Sequence, residues 1–257
     1  MACNSNMDNK KIIVFDLDGT LTTSKSQMDI EMAELLARLL AIKDVAVMSG
    51  AHLAQYQKQF LNCLNLDSVA LARLHLLPTC GASWFDYKNG WQNIYKEELT
   101  SADKEKIINA FNKVLNEVGH NPEKVFGEML EDRGGTQISF SALGQLAPHD
   151  LKKDWDPSFG KRLAMKVLLD KEIPEFDVKV AGTTSIDVTK KGIDKAHGIK
   201  KIESVLGFRK QEMLFVGDDL RECGNDAMVI PTGIQTKQVA STDETAEVIE
   251  EIVELCG

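Results

Sequence analysis

The chain has 257 residues, 43% of them hydrophobic, which is enough for one large domain or for a core with a second domain inserted in it. Its formal net charge of −9 argues against a general nucleic-acid binder and against a protein that binds anionic membranes, because no broad basic surface is available. No apolar run could span a bilayer, no signal peptide is visible, and the five scattered cysteines disfavour disulfides and zinc, so we expect a cytoplasmic protein.

The first third of the chain predicts alternating strands and helices. Residues 1–10 are polar, and we expect them to be disordered. The apolar periodicity then predicts a strand at about 11–16, a helix at 28–42, a strand at 44–49, a helix at 51–64 and a third apolar stretch at 74–82. This order is typical of the start of a parallel sheet.

The pattern changes after residue 83 into a separate α+β module. Turn signals predict two hairpins, one at Asn89-Gly90 and one at residues 134–135. Two helices are expected in the same module, one beginning near residue 101 and one near 158–170.

Strands and helices alternate again near the carboxyl end of the chain. The strand SIDV is followed by a helix near 194–206, an apolar strand at 213–219 and an acidic helix at about 243–255. The first and last parts of the chain therefore belong together.

These elements predict an α/β protein with two domains. We expect a Rossmann-like parallel-sheet core formed by residues 1–83 and 185–257, with an α+β domain inserted at 84–184.

Two carboxylates directly follow the first predicted strand. The segment KIIVFDLDGTLT places Asp16 and Asp18 two residues apart, on one side of the chain, where it begins to turn at Gly19. The preceding apolar run predicts a strand buried on both faces, and open α/β folds bind ligands at the carboxyl ends of such strands. This arrangement suits a nucleophile beside an acid/base. The alternative is a buried strand that ends in an Asp-Gly turn with both acids in solvent.

Three further polar side chains follow predicted core strands. Ser49 ends the second strand, Lys195 begins a helix after SIDV, and Asp218 ends the strand LFVG. Because such ends converge in a parallel sheet, we expect a phosphate site in which Lys195 supplies positive charge. Ser49 and Gly50 would bind phosphoryl oxygens, and Asp16 and Asp218 would supply oxygen ligands for Mg²⁺. The segment Gly224-Asn225-Asp226 adds acidic and amide groups beside the expected metal. Taken singly, Lys195 could be a surface lysine, Ser49 a helix N-cap and Asp218 part of a turn.

These motifs resemble those of the haloacid dehalogenase-like phosphohydrolase superfamily, in the branch with a large α/β cap inserted between the second and third motifs. The resemblance implies that Asp16 is the nucleophile that forms an aspartyl-phosphate and that Asp18 is the acid/base. It also implies that Ser49 and Lys195 hold the phosphoryl group. Mg²⁺ would be bound by Asp16, by Asp218 and by the backbone carbonyl of Asp18.

Within that superfamily the chain is most similar to eukaryotic-type phosphomannomutases. DLDGTLTTSK resembles their opening segment, SIDVTKKGIDK resembles their SFDV…GWDK, and VGDDLRECGND resembles their fourth motif. EDRGG resembles their EFRNG, which implies that Arg133 contacts substrate phosphate. Ser185 and Asp187 match the pair that contacts the sugar, and Lys25 lies where that family has a phosphate-binding arginine.

Two positions depart from that family's pattern. Gln145 and Phe126 lie near the positions of two further cap arginines. A mutase must hold a bisphosphate and present each phosphate in turn to Asp16, so it needs a strong second phosphate site, and glutamine lacks the charge and the planar fork of arginine. We count Gln145 as a candidate substrate contact.

The sequence therefore predicts a Mg²⁺-dependent phosphatase of a sugar phosphate or similar small phosphomonoester. The alternatives are a phosphomannomutase and a non-catalytic sugar-phosphate-binding protein. We expect this phosphate ester to be the small-molecule partner. We expect no nucleic-acid or membrane partner, and we expect the protein to be a monomer or a homodimer.

Overall fold

The computed structural model describes residues 7–23, 26–222 and 224–256. The chain divides into two compact units, one formed by Met1–Lys96 with Asp194–Gly257 and the other by Glu97–Ile193. We call them the core unit and the inserted unit.

The described residues form eleven strands. In chain order these are β1 (Ile12–Phe15), β2 (Asp44–Met48), β3 (Leu74–Leu77), β4 (Ser83–Tyr87), β5 (Trp91–Lys96), β6 (Leu130–Arg133), β7 (Gln137–Ser141), β8 (Phe176–Ala181), β9 (Ser185–Lys190), β10 (Met213–Gly217) and β11 (Gln235–Gln238).

The same residues form nine helices. In chain order these are α1 (Ile30–Leu40), α2 (Leu53–Gln59), α3 (Ser68–Leu71), α4 (Pro78–Gly81), α5 (Ser101–Glu117), α6 (His149–Trp155), α7 (Gly160–Glu172), α8 (Lys195–Leu206) and α9 (Thr242–Cys256). Among these described helices, none has the length and apolar character needed to cross a membrane. The helix α4 is a single turn in which Thr79 and Cys80 have left-handed backbone angles, with φ of 50° and 56°.

The core unit is built on a seven-stranded sheet in the order β11-β10-β1-β2-β3-β4-β5. The strands from β11 to β3 are parallel, and β4 and β5 extend the sheet as an antiparallel hairpin. All residues of β1 and β10 are buried, as expected for central strands whose two faces are both covered. This architecture confirms the predicted α/β, Rossmann-like parallel-sheet core.

The register of the core sheet determines which residues meet at its edge. Phe15 lies opposite Val216 of β10 on one side and Val47 of β2 on the other. The residues that follow β1, β2 and β10 therefore emerge together at the carboxyl edge of the sheet.

The inserted unit contains a four-stranded antiparallel sheet in the order β6-β7-β9-β8. Ile186 and Val188 of β9 are fully buried in an apolar cluster with residues of α5 and α7. Because side chains alternate along a strand, Ser185 and Asp187 lie on the opposite face of this sheet. One face of the sheet is therefore apolar and covered by helices, and the other is polar.

The boundaries of the two units differ from the expected divisions at 83/84 and 184/185. The hairpin that turns at Asn89-Gly90 pairs through β4 with β3, so it extends the core sheet instead of beginning the inserted unit. The SIDV segment, expected in the parallel core, forms β9 and pairs antiparallel with β7 and β8. Its alternation of polar and apolar residues is typical of a sheet with one apolar face, whereas central core strands are apolar throughout.

Candidate active site

Asp16 lies at the carboxyl end of β1, the central strand of the core sheet. Its backbone N–H donates to the carbonyl of Val216 at 3.0 Å, which continues the parallel pairing with β10 by one residue. Its side chain is almost fully buried, with 3% of its surface exposed. The carboxylate is thus held at the edge of the sheet. The alternative of a solvated turn would place it in bulk solvent.

A buried lysine pairs with two aspartates at this edge. Lys195 Nζ donates to Asp16 Oδ1 at 2.6 Å and also donates to Asp226 Oδ1. Lys195 is the first residue of α8 and is 2% exposed, and Asp226 is fully buried. Asp194 caps the same helix by accepting from the N–H of His197 at 2.9 Å, which fixes the turn that carries the lysine. Lys195 is therefore a member of the buried cluster and not a surface lysine.

Burial and charge together set the protonation of this cluster. Burial raises the pKa of Asp16 to about 7; Lys195 opposes the rise, and the carboxylate of Asp226 adds to it. Burial disfavours the ammonium form of Lys195, but Asp16 and Asp226 outweigh burial and raise the pKa of the lysine above its ordinary value. Burial, with repulsion from Asp226, also raises the pKa of Asp218. One lysine is thus not enough to stabilise three ionised carboxylates.

The same carboxylates fit a divalent cation. Asp16, Asp218 and Asp226 each offer a carboxylate oxygen, and these oxygens lie within 4.8 Å of one another. The Oδ1 atom of Asp218 is buried and has no hydrogen-bond partner among the described residues. A hard oxygen donor set with an unsatisfied buried carboxylate oxygen suits Mg²⁺, which binds through one or two carboxylates together with water and carbonyl oxygens.

Two glycines allow these carboxylates to approach the backbone. Gly19 has φ of +86°, and a Cβ atom there would lie 2.6 Å from Asp218 Oδ2. A Cβ atom at Gly217 would lie 2.4 Å from Asp226 Oδ2. Any side chain at either position would displace an aspartate of the cluster.

Asp18 and Ser49 follow the neighbouring strands β1 and β2 at the same edge of the sheet. Asp18 is half-buried, and it forms a single bridge with Thr22 that closes the turn after β1. Ser49 directly follows β2; its hydroxyl accepts from the N–H of Ala51 at 3.1 Å and keeps its own proton to donate. The N-cap of α2 is His52, so Ser49 is not the helix N-cap that the alternative interpretation expected.

Gly50 lies in the turn between β2 and α2. The carbonyl of Ser49, on one side of it, accepts from the N–H of Cys80 at 2.8 Å, and the carbonyl of Ala51, on the other side, accepts from the N–H of Thr79 at 2.9 Å. The left-handed turn of α4, which directly follows the neighbouring strand β3, therefore fixes the backbone of the Ser49–Ala51 segment.

The predicted substrate contacts of the cap lie in the inserted unit. Arg133 Nε donates to Glu131 Oε2 at 3.0 Å, and its NH1 atom lies 3.9 Å from Asp187 Oδ1. Asp187 Oδ1 also accepts from the hydroxyl of Ser139 at 2.6 Å, and the carbonyl of Ser139 accepts from Gln145 Nε2 at 3.2 Å. The inserted unit thus brings Arg133 and Asp187 together, and Gln145 contacts the backbone of β7, the strand between them.

Two predicted residues remain, Ser185 and Lys25. Ser185 is half-buried, two residues before Asp187 on the same face of β9. Lys25, the predicted phosphate-binding cation, lies outside the described residues.

The structure gives a place to two residues whose roles the sequence left open. Asp226, expected beside the metal from the segment Gly224-Asn225-Asp226, lies in one cluster with Asp16 and Asp218 and accepts from Lys195. Lys152 of α6 donates from Nζ to the carbonyl of Gln145 at 2.7 Å, so a cation lies beside the position where an arginine was expected. The pair of lysines at 152–153 was a possible signal, but it could not be distinguished from a solvated helix face.

Comparisons with known proteins agree with this geometry. A sequence model described as eukaryotic phosphomannomutase matches residues 32–255. The phosphomannomutase of Saccharomyces cerevisiae is 25% identical over an alignment of 264 residues, gaps included, that covers 95% of this chain and 94% of the relative. The phosphomannomutase of Spinacia oleracea is 24% identical over 222 residues, which cover 84% of each chain.

Solved structures share the fold. An N-terminally truncated, IMP-bound IMP-nucleotidase of Plasmodium falciparum superposes with a TM-score of 0.68 and 18% identity, over 97% of this chain and 71% of that one. A haloacid dehalogenase-like hydrolase of Bacteroides thetaiotaomicron superposes with a TM-score of 0.65 and 16% identity, over 95% and 99% of the two chains. At these identities the likeness supports the fold alone, whereas the family match spans most of the sequence. The chain therefore belongs to the eukaryotic phosphomannomutase family, with a haloacid dehalogenase-like fold.

Proposed function

We propose that this protein is a Mg²⁺-dependent phosphatase that hydrolyses sugar phosphates or similar small phosphomonoesters through an aspartyl-phosphate on Asp16. Phosphoryl transfer is the chemistry of its superfamily. The observation that carries the proposal is the buried contact of Lys195 Nζ with Asp16 Oδ1 at 2.6 Å, beside Asp218 and Asp226, at the carboxyl end of the central strand.

In the first step a carboxylate oxygen of Asp16 forms a bond to phosphorus while the bond from phosphorus to the ester oxygen breaks. Asp18 gives its proton to the departing alkoxide. In the second step Asp18 takes a proton from the water that attacks the aspartyl-phosphate, which releases inorganic phosphate and restores Asp16. Lys195 and Ser49 donate hydrogen bonds to the phosphoryl oxygens as charge develops on them.

Mg²⁺, held by Asp16, Asp218, Asp226 and the backbone carbonyl of Asp18, would supply positive charge that offsets the charge of the phosphate when it is bound. Burial raises the pKa of Asp16 and so favours its protonated form, but only the ionised carboxylate can attack phosphorus. The charge of a bound Mg²⁺ would favour the ionised form.

The charged side chains that contact Arg133 and Gln145 favour a hydrolase. Arg133 is accompanied by the carboxylates of Glu131 and Asp187, and Lys152 donates to the carbonyl oxygen of the neutral Gln145. These four charged side chains sum to zero. A mutase must hold a second phosphate while the first reacts, which calls for an excess of positive charge that an arginine in place of Gln145 would give.

A phosphomannomutase is the second candidate function. The curated relatives in Saccharomyces cerevisiae and Spinacia oleracea both carry that name, and Lys152 places a cation beside Gln145. In that case the phosphoryl group returns to the sugar and no phosphate is released.

Two assays run in parallel test the proposal. The first measures Mg²⁺-dependent phosphate release from a panel of hexose and pentose phosphates, and the second measures isomerisation of mannose 1-phosphate with a trace of hexose bisphosphate. We expect phosphate release that is lost in Asp16→Asn. Isomerisation without phosphate release would assign the mutase, and inactivity in both assays, with sugar-phosphate binding retained, would favour a non-catalytic binder.

The cytoplasmic location and the monomeric or homodimeric state stay predictions from the sequence. Size-exclusion chromatography with light scattering measures the second directly.

A further inference from the structure

Gln59 closes the helix α2 and reaches the second aspartate of the opening motif. Its side-chain amide lies 3.4 Å from Asp18 Oδ1 and 3.3 Å from the carbonyl oxygen of Ser26. The residue is 5% exposed. Both acceptors are oxygens, so the NH₂ group and not the amide oxygen must face them, and each of its two protons has one acceptor.

We propose that Gln59 is the positioning residue that orients Asp18 for proton transfer to the leaving group. This inference rests on the proposed phosphoryl transfer. Gln59 donates to Oδ1 of Asp18, and in the proposed step Oδ2 carries the proton. That proton passes to the ester oxygen as its bond to phosphorus breaks, and Oδ2 later takes a proton from the attacking water.

The backbone around Gln59 is held independently of its side chain. The carbonyl of Gln59 accepts from the N–H of Met28 at 2.8 Å, and the hydroxyl of Tyr56, one turn earlier in α2, donates to the carbonyl of Val47 at 3.2 Å. A substitution of the Gln59 side chain therefore leaves α2 attached to β2 and to the segment after the motif. Its effect on Asp18 can be measured separately from any effect on the fold.

A neutral amide suits this task. The ammonium of Lys195 pairs with Asp16, which must stay ionised to attack phosphorus, whereas Asp18 must alternately hold and release a proton. Oδ1 can accept from this amide whether or not Oδ2 carries a proton, so the contact orients the carboxyl group in both states. The contact is long, and contacts of this kind shorten when the substrate is bound.

The leaving group distinguishes positioning of the acid from a general structural role. A sugar alkoxide is a poor leaving group and needs a proton from Asp18, whereas 4-nitrophenolate leaves without one. The quantity to compare is kcat/KM, because it reports the steps up to departure of the leaving group. Two esters are used: 4-nitrophenyl phosphate and the best hexose phosphate of the release panel.

We expect Gln59→Met to lower kcat/KM for the hexose phosphate by at least about tenfold and for 4-nitrophenyl phosphate by less than about threefold. Gln59→Leu, a second apolar side chain of similar size that cannot donate, should show the same selectivity and serves if the methionine variant does not fold. The matched control is Gln57→Met on the same helix, because Gln57 is exposed and its amide contacts Asn62 at 2.6 Å. It should leave both rates within about twofold of wild type.

Equal losses for the two esters in a folded variant, or no loss for the hexose phosphate, would overturn the role of Gln59 and leave the proposed function standing. Wild-type protein that releases phosphate from neither ester would instead remove the proposed function and this inference with it. Circular dichroism of each variant shows whether it is folded.

Discussion

Replacing Asp16 by asparagine should abolish turnover and at the same time remove a pH-dependent destabilisation of the metal-free protein. Burial raises the pKa of Asp16 from 3.8 to about 7 in the folded chain. Between these two values the unfolded chain has lost this proton while the folded chain still holds it. Because the folded pKa is the higher one, the wild type loses stability as pH rises from about 4 to about 7.

The size of this effect follows from the shift. A difference of roughly three pKa units, at about 1.4 kcal/mol each, gives about 4 kcal/mol over the whole window and about 3 kcal/mol between pH 5 and pH 8. Asp16 is almost fully buried, so solvent does not screen the effect. Asparagine has nearly the same shape and does not titrate, so the variant lacks this loss.

The assay is urea unfolding of wild type and Asp16→Asn in EDTA at pH 5, 6.5 and 8, followed by tryptophan fluorescence. The free energy of unfolding of the variant minus that of wild type cancels the other titrating groups, and it should rise by about 3 kcal/mol from pH 5 to pH 8. Phosphate release by the variant should fall by at least about 10³-fold, because the nucleophile is gone. A stability difference that does not change with pH would show that Asp16 titrates near its ordinary value, and the charge argument for the cation would then fail.

Three further predictions concern the metal, the inserted unit and the turn after β1. Asp218→Asn should weaken Mg²⁺ binding by at least about tenfold in isothermal titration, because it removes a carboxylate whose buried Oδ1 has no hydrogen-bond partner in the described part of the chain. Asp156→Asn should destabilise the protein by about 3–5 kcal/mol in urea, since Asp156 Oδ2 accepts from the buried Arg162 Nε at 2.8 Å. The pKa of Asp156 is lowered despite burial, mainly by Arg162, so this stability is present above pH ~4 and is lost as pH falls. Gly19→Ala should lose activity as well as stability because its Cβ would lie 2.6 Å from Asp218 Oδ2, whereas Gly207→Ala, which has similar φ (+73°) and open space, should lose stability only.

The catalytic residues of the core unit could be predicted because strand ends are visible in sequence. The apolar runs before Asp16, Ser49 and Asp218 mark buried parallel strands, and the carboxyl ends of such strands must meet. Lys195 was predicted for a partly wrong reason, since the strand before it belongs to the sheet of the inserted unit and not to the core. It reaches Asp16 because it is the first residue of α8 in the core unit.

Contacts that depend on loop conformation or on long-range pairing could not be predicted. Asp226 was expected beside the metal, but its spacing does not show that it also contacts Lys195, because the loop between Asp218 and Asp226 has many conformations. The hairpin at Asn89-Gly90 was recognised from its turn, but local sequence does not say which sheet it joins. Polar and apolar residues alternate around Asp187 in β9, and this is visible in the sequence. The pattern indicated an antiparallel sheet with one polar face, which the assignment of this strand to the parallel core overlooked.

The raised pKa of Asp16 and the binding of a cation are two sides of one free energy. Ionising Asp16 beside Asp218 and Asp226 is unfavourable in the metal-free cluster, and a divalent cation between these carboxylates would relieve that repulsion. By linkage, the cation must then lower the pKa of Asp16 by the same free energy with which ionised Asp16 strengthens cation binding. Cation binding should therefore tighten as pH rises towards 8, and it should restore the stability that the metal-free protein has lost there. In such a site the nucleophile is fully ionised only when the cation that offsets the phosphate charge is bound. The unfavourable ionisation of Asp16 beside the other two carboxylates therefore explains both the lower stability of the metal-free cluster and its ability to bind the cation needed for phosphoryl transfer.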